Sequence, residues 1–197
     1  PHAMNDHSLS ISQEQLSALR RLFHQHAETG IAEFCTTARI AQELEETGLS
    51  PLVGECVSLA EARMGVPDEN TLRKARERAL REGAPKAWLE RMNGITGLAV
   101  DIRPDLPAHT VLRFDIDAVD VEESEKPSHL PHQEGFASLH RGICHACGHD
   151  GHIAIGLGLA RELAKRKESL TRNVRLLFQP GEEGCRGARD MGGEVLL

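Results

Sequence analysis

The segment HTVLRFDIDAV, residues 109–119, decides the fold class. Phe114, Ile116 and Ala118 alternate in it with Arg113, Asp115 and Asp117. A period of two is that of a β-strand, and it puts both aspartates on one face. Upstream, GITGLAVDI (94–102) reads as a second strand, separated from the first by the turn-rich RPDLPA. Downstream, NVRLLFQP (173–180) reads as a buried strand that Pro180 stops. Between the last two strands, IAIGLGLARELAKRKES (153–169) has the apolar spacing of a helix, and its Gly156 and Gly158 permit close backbone packing.

Three helical stretches precede the strands. SQEQLSALRRLFHQHAETG (12–30) carries Leu16, Leu19, Leu22 and Phe23 at helical spacing, Ser12 and Gln15 as a capping box, and Gly30 as its end. IAEFCTTARIAQELEETG (31–48) is closed by Gly48. ENTLRKARERALREGAPKAWLERMNG (69–94) is strongly charged and predicts a solvated surface helix, broken or kinked near residues 83–85. The segment EESEKPSHLPHQEG (122–135) reads as an exposed loop. Helices before and between strands predict an α/β layered domain, a central sheet flanked by helices.

Composition narrows the function classes. The 197 residues suit one domain, or one domain plus a fragment, and 40% hydrophobic residues suffice for a real core. Aromatic residues make up only 3%, with no tyrosine, so that core is expected to be aliphatic. The formal charge is −7, and no basic stripe with interleaved aromatics occurs, which argues against nucleic acid as a partner. No apolar run approaches the roughly 20 residues that span a bilayer. The opening PHAMNDHSLS lacks the basic and apolar regions of a secretory signal, and residues 1–4 read as a cloning remnant and start. Five cysteines, an odd number without a disulfide framework, suit a reducing cytoplasm.

The densest chemistry lies in HACGHDGH, residues 145–152. In an extended segment, Cys147 and His149 would aim the same way, and thiolate with imidazole suits zinc or a neighbouring first-row ion. Asp150 is placed to orient an imidazole, and His145 and His152 flank the pair. A structural zinc knot of Cys144, Cys147, His149 and His152 leaves one residue between its ligand pairs, where finger-type sites use a loop of about 12 or more. A redox role for Cys144 and Cys147 lacks a thioredoxin-like context, and c-type haem attachment fails because Gly148 stands where histidine is needed. FQPGEEG then supplies Glu182 and Glu183 directly after the buried strand, where α/β enzymes commonly place their chemistry. One carboxylate of such a pair can hold a metal while the other takes a proton from water; an exposed acidic turn is the alternative.

HACGHDGH followed by LLFQPGEEGCRGAR resembles the aminoacylase, hippurate hydrolase and indole-acetyl-amino-acid hydrolase group of dinuclear metallo-amidohydrolases. LRFDIDAV and LRRLFHQHAETG are similar to the strand before the cluster and the N-terminal helix of that group. The extra helical segment, about residues 61–92, is similar to the branch that cleaves p-aminobenzoyl-glutamate.

The resemblance implies a metallopeptidase catalytic domain that uses two divalent ions, manganese or zinc. It implies Cys147, His149 and Glu183 as metal ligands and Glu182 as general base, taking a proton from the attacking water and returning it to the departing amine. Asp115 and Asp117 would support the centre and Asp150 would lie behind it, with less defined duties for His145 and His152. Expected substrates are N-acyl or aroyl amino acids, p-aminobenzoyl-glutamate above all, which would place the chain in folate catabolism. A homo-oligomer or a B-type subunit is the expected protein partner. Family members run to roughly twice this length, with an inserted lid and dimerisation domain and two further histidine ligands. Residues 5–197 are therefore expected to be the N-terminal part of the catalytic domain, weakly active or inactive alone. The alternative is a non-catalytic pseudo-enzyme or metal- and partner-binding subunit.

Overall fold

The computed structural model describes residues 11–107, 109–184 and 186–191. The expected remnant at residues 1–4, Cys185 and the stretch after Met191 lie outside the described residues. The first helix, α1 (Gln13–Gln25), begins with the predicted capping box: Gln15 N–H donates to Ser12 Oγ at 3.2 Å, and Ser12 N–H donates to Gln15 Oε1 at 2.8 Å. It stops at Gln25, short of Gly30, because tertiary pairing takes over the backbone. Thr29 bridges to Ala118, whose N–H donates to the Glu28 carbonyl at 2.7 Å.

The next helix, α2 (Phe34–Glu46), is the most buried of the N-terminal helices; Phe34, Ile40 and Leu44 are among its core residues. Its N-terminus is capped from a distance. The buried Glu28 carboxylate accepts the N–H groups of Cys35 and Thr36 at 3.2 and 2.9 Å, satisfying donors that no helical carbonyl reaches. The charged stretch divides, as its Gly-Ala-Pro predicts, into α3 (Glu69–Arg81) and α4 (Lys86–Met92). Only α3 is the solvated helix expected. Its neighbour buries Trp88, Leu89 and Met92, so the apolar content of that stretch is concentrated after the break.

Four strands, β1 (Leu52–Val53), β2 (Leu98–Asp101), β3 (His109–Asp115) and β4 (Asn173–Gln179), form one mixed sheet in the order β1-β2-β4-β3. Strands β3 and β4 are parallel, and the other two pairings are antiparallel. The two-residue β1 carries no period-two signal and was not expected from the sequence. The strand β3 ends at Asp115 rather than Val119. Ile116 N–H still reaches the Gln179 carbonyl at 3.0 Å, but Ala118 and Val119 then leave to bridge Thr29 and Cys144. The expected exposed loop holds a short helix, α5 (Leu130–Gln133), and Glu123 within it is nearly buried against His24. The last elements are α6 (His149–Lys165) and the short α7 (Gly187–Met191).

The crossover β3-α6-β4 positions the site. A helix joining two parallel strands runs back against them. The start of α6 therefore lies at the end where both strands finish, beside Asp115 and the loop after Gln179. The helix seats closely because Gly156 faces the Phe178 and Phe114 rings. The core is less purely aliphatic than composition suggests, since Phe23, Phe34, Phe178 and Trp88 are all buried.

Candidate metal centre

Gly148 has a left-handed φ of 85°, which turns the chain sharply into α6 with His149 as its first residue. Cys147 and His149 are thus not part of one extended segment, as expected, but lie on either side of a turn. They still converge on the paired glutamates. His149 Nε2 stands 3.7 Å from Glu182 Oε2, and the Glu183 carboxylate acts on the Cys147 thiol, raising its pKa. Ligand atoms of His149, Glu182 and Glu183 all lie within 4.8 Å of one another, as do those of Asp115, His149 and His152. His149 is common to both groups.

The buried Asp117 organises this arrangement. Its carbonyl lies 2.8 Å from His149 Nδ1, and a carbonyl only accepts, so Nδ1 carries the proton and Nε2 faces the glutamates. Its carboxylate Oδ2 accepts the Glu183 N–H at 2.8 Å, fixing the backbone of the glutamate loop. Asp115 is 3.2 Å from Arg113 Nε and 3.5 Å from His152 Nδ1, and the His152 ring stacks on His149. Both aspartates therefore approach the centre, but only Asp117 holds His149.

The donor set fits a metal. Asp117 Oδ1 is buried without a hydrogen-bond partner, because the nearby His149 Nδ1–H is engaged by the carbonyl. The Asp117 carboxylate, with Oδ1 3.3 Å from Nδ1, above all raises the His149 pKa to about 9, since protonation is the one way this imidazole can answer the surrounding carboxylates. A divalent cation answers the same negative potential. Sulfur, nitrogen and oxygen donors together suit zinc and its first-row neighbours. The thiol of Cys147, pushed up to about 11 chiefly by the Glu183 carboxylate, would lose its proton on coordination.

With this geometry established, the relatives are informative. Residues 111–196 match the Peptidase family M20/M25/M40. The chain is similar to the A-type subunit of p-aminobenzoyl-glutamate hydrolase from Escherichia coli K12, 45% identical over 179 residues, which are 90% of this chain and 41% of that protein. Indole-3-acetyl-aspartic acid hydrolase of Enterobacter agglomerans is 43% identical, again over 90% of this chain and 41% of its own length. A solved aminobenzoyl-glutamate utilization protein from Klebsiella pneumoniae is 36% identical, with a TM-score of 0.73 over 91% of this chain and 39% of that one. A dinuclear metal binding peptidase of the M20 family from Bacillus subtilis gives 30% identity and a TM-score of 0.61 over 89% of this chain and 37% of its own. The chain spans about 41% of the length of the first two relatives.

Other expected residues sit further out. Asp150, fully buried, does orient an imidazole, but that of His24 rather than His149. It accepts from His24 Nδ1 at 2.9 Å and Arg20 Nε at 3.1 Å. The other nitrogen of His24 lies 2.7 Å from Glu123. Burial would lower the His24 pKa, yet the hydrogen bonds to Asp150 and Glu123 outweigh it and leave the value raised. His145 is 4% exposed with neither nitrogen partnered, and burial depresses its pKa to about 4. It packs as a neutral ring.

Sequence reasoning missed Glu33 and the use of Gly30. Glu33 Oε1 accepts the Gly181 N–H at 2.8 Å, and Oε2 accepts from the Thr96 hydroxyl at 2.8 Å. Burial, followed by the nearby Asp117 charge, raises its pKa to about 8. Gly30 lets the glutamate loop approach, for a Cβ there would stand 3.0 Å from Gly181 Cα and 3.4 Å from Asp117 Oδ2. A lone acid inside the apolar run GIAEF was the available signal.

Proposed function

We propose that the chain carries part of a metal-dependent hydrolase that cleaves the amide bond of N-acyl or aroyl amino acids. The favoured substrate is p-aminobenzoyl-glutamate, giving p-aminobenzoate and glutamate. The observation that carries the reading is the meeting of Cys147 and His149 with Glu182 and Glu183. The names of the Escherichia coli and Klebsiella pneumoniae relatives supply the substrate.

The two glutamates divide the work by how they are held. Glu183 is tied through its N–H to Asp117 and its carboxylate faces His149, so with Cys147 and His149 it is the metal ligand. Glu182 keeps 37% of its side chain exposed and leans toward His149 Nε2, so it reaches solvent and substrate. It takes a proton from the attacking water and returns it to the departing amine, a role worth roughly 10²–10⁴ in rate. Bound divalent ions, two of them and either manganese or zinc, supply Lewis acidity for the water and the carbonyl oxygen. Asp115, which ends β3, and Asp117, just beyond it, hold the centre. The Escherichia coli relative is named as one lettered subunit of its enzyme, which supports assembly of this chain with a B-type subunit or a second copy. The free thiols of Cys35, Cys56, Cys144 and Cys147 support a cytoplasmic location.

Incubation of the chain with manganese or zinc and p-aminobenzoyl-glutamate tests this. Slow release of p-aminobenzoate, lost at least 100-fold in Glu182→Gln with metal content retained, is the expected result. Equal release by the variant, or metal binding indifferent to Glu183→Gln, overturns the assignment. A second reading is a non-catalytic metal- and partner-binding subunit. It predicts metal binding without release of product.

A further inference from the structure

A second cluster of soft and hard donors lies apart from the glutamate loop. His26 caps the end of α1, Cys35 is the second residue of α2, and Glu82 caps the end of α3. Ligand atoms of these three lie within 4.8 Å of one another. His26 Nδ1 stands 3.1 Å from Glu82 Oε2. The other carboxylate oxygen is held by His140, whose Nε2 is 2.7 Å from Glu82 Oε1 and whose Nδ1 is 2.5 Å from the Ala27 carbonyl. That carbonyl makes Nδ1 the donor, so His140 sits as a ring whose orientation is fixed behind a carboxylate, as the outer partners of metal ligands commonly are. The Cys35 sulfur is fully buried and accepts a hydrogen bond from Arg39 Nε at 3.1 Å; burial pushes its thiol up to about 12, so a bound cation takes the place of its proton.

We propose that His26, Cys35 and Glu82 form a metal site of their own, taking one zinc-class divalent cation. One sulfur, one imidazole nitrogen and one carboxylate oxygen are the donors zinc prefers. With bonds of about 2.0–2.3 Å, tetrahedral donors stand about 3.3–3.6 Å apart. The 3.1 Å contact between His26 and Glu82 needs only a small spread to admit the ion. The side chains of His26 and Glu82 keep 12% and 19% exposure, which gives the ion its entry and solvent its fourth position, while Cys35 closes the inner side. Because the ligands come from three helices, the ion clasps α1, α2 and α3 together and secures the loop of His140, five residues before the HACGHDGH segment.

The test uses a Cys147→Ser chain, which lacks the thiolate of the first centre, titrated with cobalt(II) and zinc. Thiolate-to-cobalt absorption is expected in this chain and lost when Cys35→Ser is added. Zinc should slow alkylation of Cys35 at least tenfold, and Glu82→Gln should weaken cobalt affinity at least tenfold. Absence of the absorption at saturating cobalt, or its survival in the Cys35→Ser chain, overturns the site. If Cys35→Ser fails to fold, unchanged affinity in both Glu82→Gln and His26→Gln overturns it equally. None of these readouts depends on amide hydrolysis, so this site and the proposed reaction stand or fall separately.

Discussion

Asp117 grips His149 and Glu183 at once: its carbonyl lies 2.8 Å from the His149 Nδ1 and its carboxylate accepts the Glu183 N–H, also at 2.8 Å. One residue thus sets the tautomer of an imidazole on α6 and the position of a carboxylate after β4. Asp117→Asn keeps the carbonyl but weakens the carboxylate arm. Metal affinity should fall about 10–100-fold, the usual cost of losing such a support, while the circular dichroism spectrum stays that of wild type. Calorimetric titration with zinc or manganese measures it.

The pH dependence of the metal-free chain follows from His149. Its value of about 9 lies above the 6.5 of the free ring, chiefly through the Asp117 carboxylate. The protonated ring therefore stabilises the fold fully below pH about 6.5, and this contribution is lost as the pH climbs through about 9. Urea unfolding of metal-free chain should show that decline. Saturating metal should remove it, because the ion takes the place of the Nε2 proton, and binding near neutral pH should release protons. A decline of the same size with and without metal would contradict the assignment.

Gly156→Ala sets two effects against each other. Alanine gains about 1 kcal/mol over glycine inside a helix. Here its Cβ would stand 2.7 Å from Phe178 Cε1 and 2.9 Å from Phe114 Cγ, both atoms of packed rings. Overpacking of that kind costs about 1–3 kcal/mol, so the net effect is destabilising. Thermal unfolding of Gly156→Ala should show a lower Tm than wild type.

His24→Ala removes a main partner of the fully buried Asp150 carboxylate. Stability should drop by about 3 kcal/mol, the typical result of leaving a buried charge short of its counterion. Adding Asp150→Asn to the same chain should recover part of that loss. A double-mutant cycle in urea measures the coupling.

Local signals told most of the fold. The capping box at Ser12, the break after Arg81 and the strand before Pro180 each depend on residues adjacent in the chain, and each is found where its pattern indicates. The misses share a different cause. Gly30 reads as a helix end but serves a close approach by Gly181, and β3 is cut short because Ala118 turns to the Glu28 carbonyl. Both depend on segments far away in sequence. The site followed the same division. Cys147, His149, Glu182 and Glu183 were legible because their types are unusual together, whereas Glu33 and His24 looked like ordinary members of helical segments. Which imidazole Asp150 orients was not legible, because only the folded chain brings α1 across α6.

The strand order has a consequence for biosynthesis. Among the described residues, the strand latest in sequence, β4, lies between β2 and β3, which have no bond to each other without it. While the ribosome is still short of Gln179, the earlier strands have no common neighbour and the sheet exists only in pieces. Insertion of β4 joins these strands and delivers the glutamate loop in the same event, so the centre of Cys147, His149 and Glu183 gains its metal affinity only once β4 is in place.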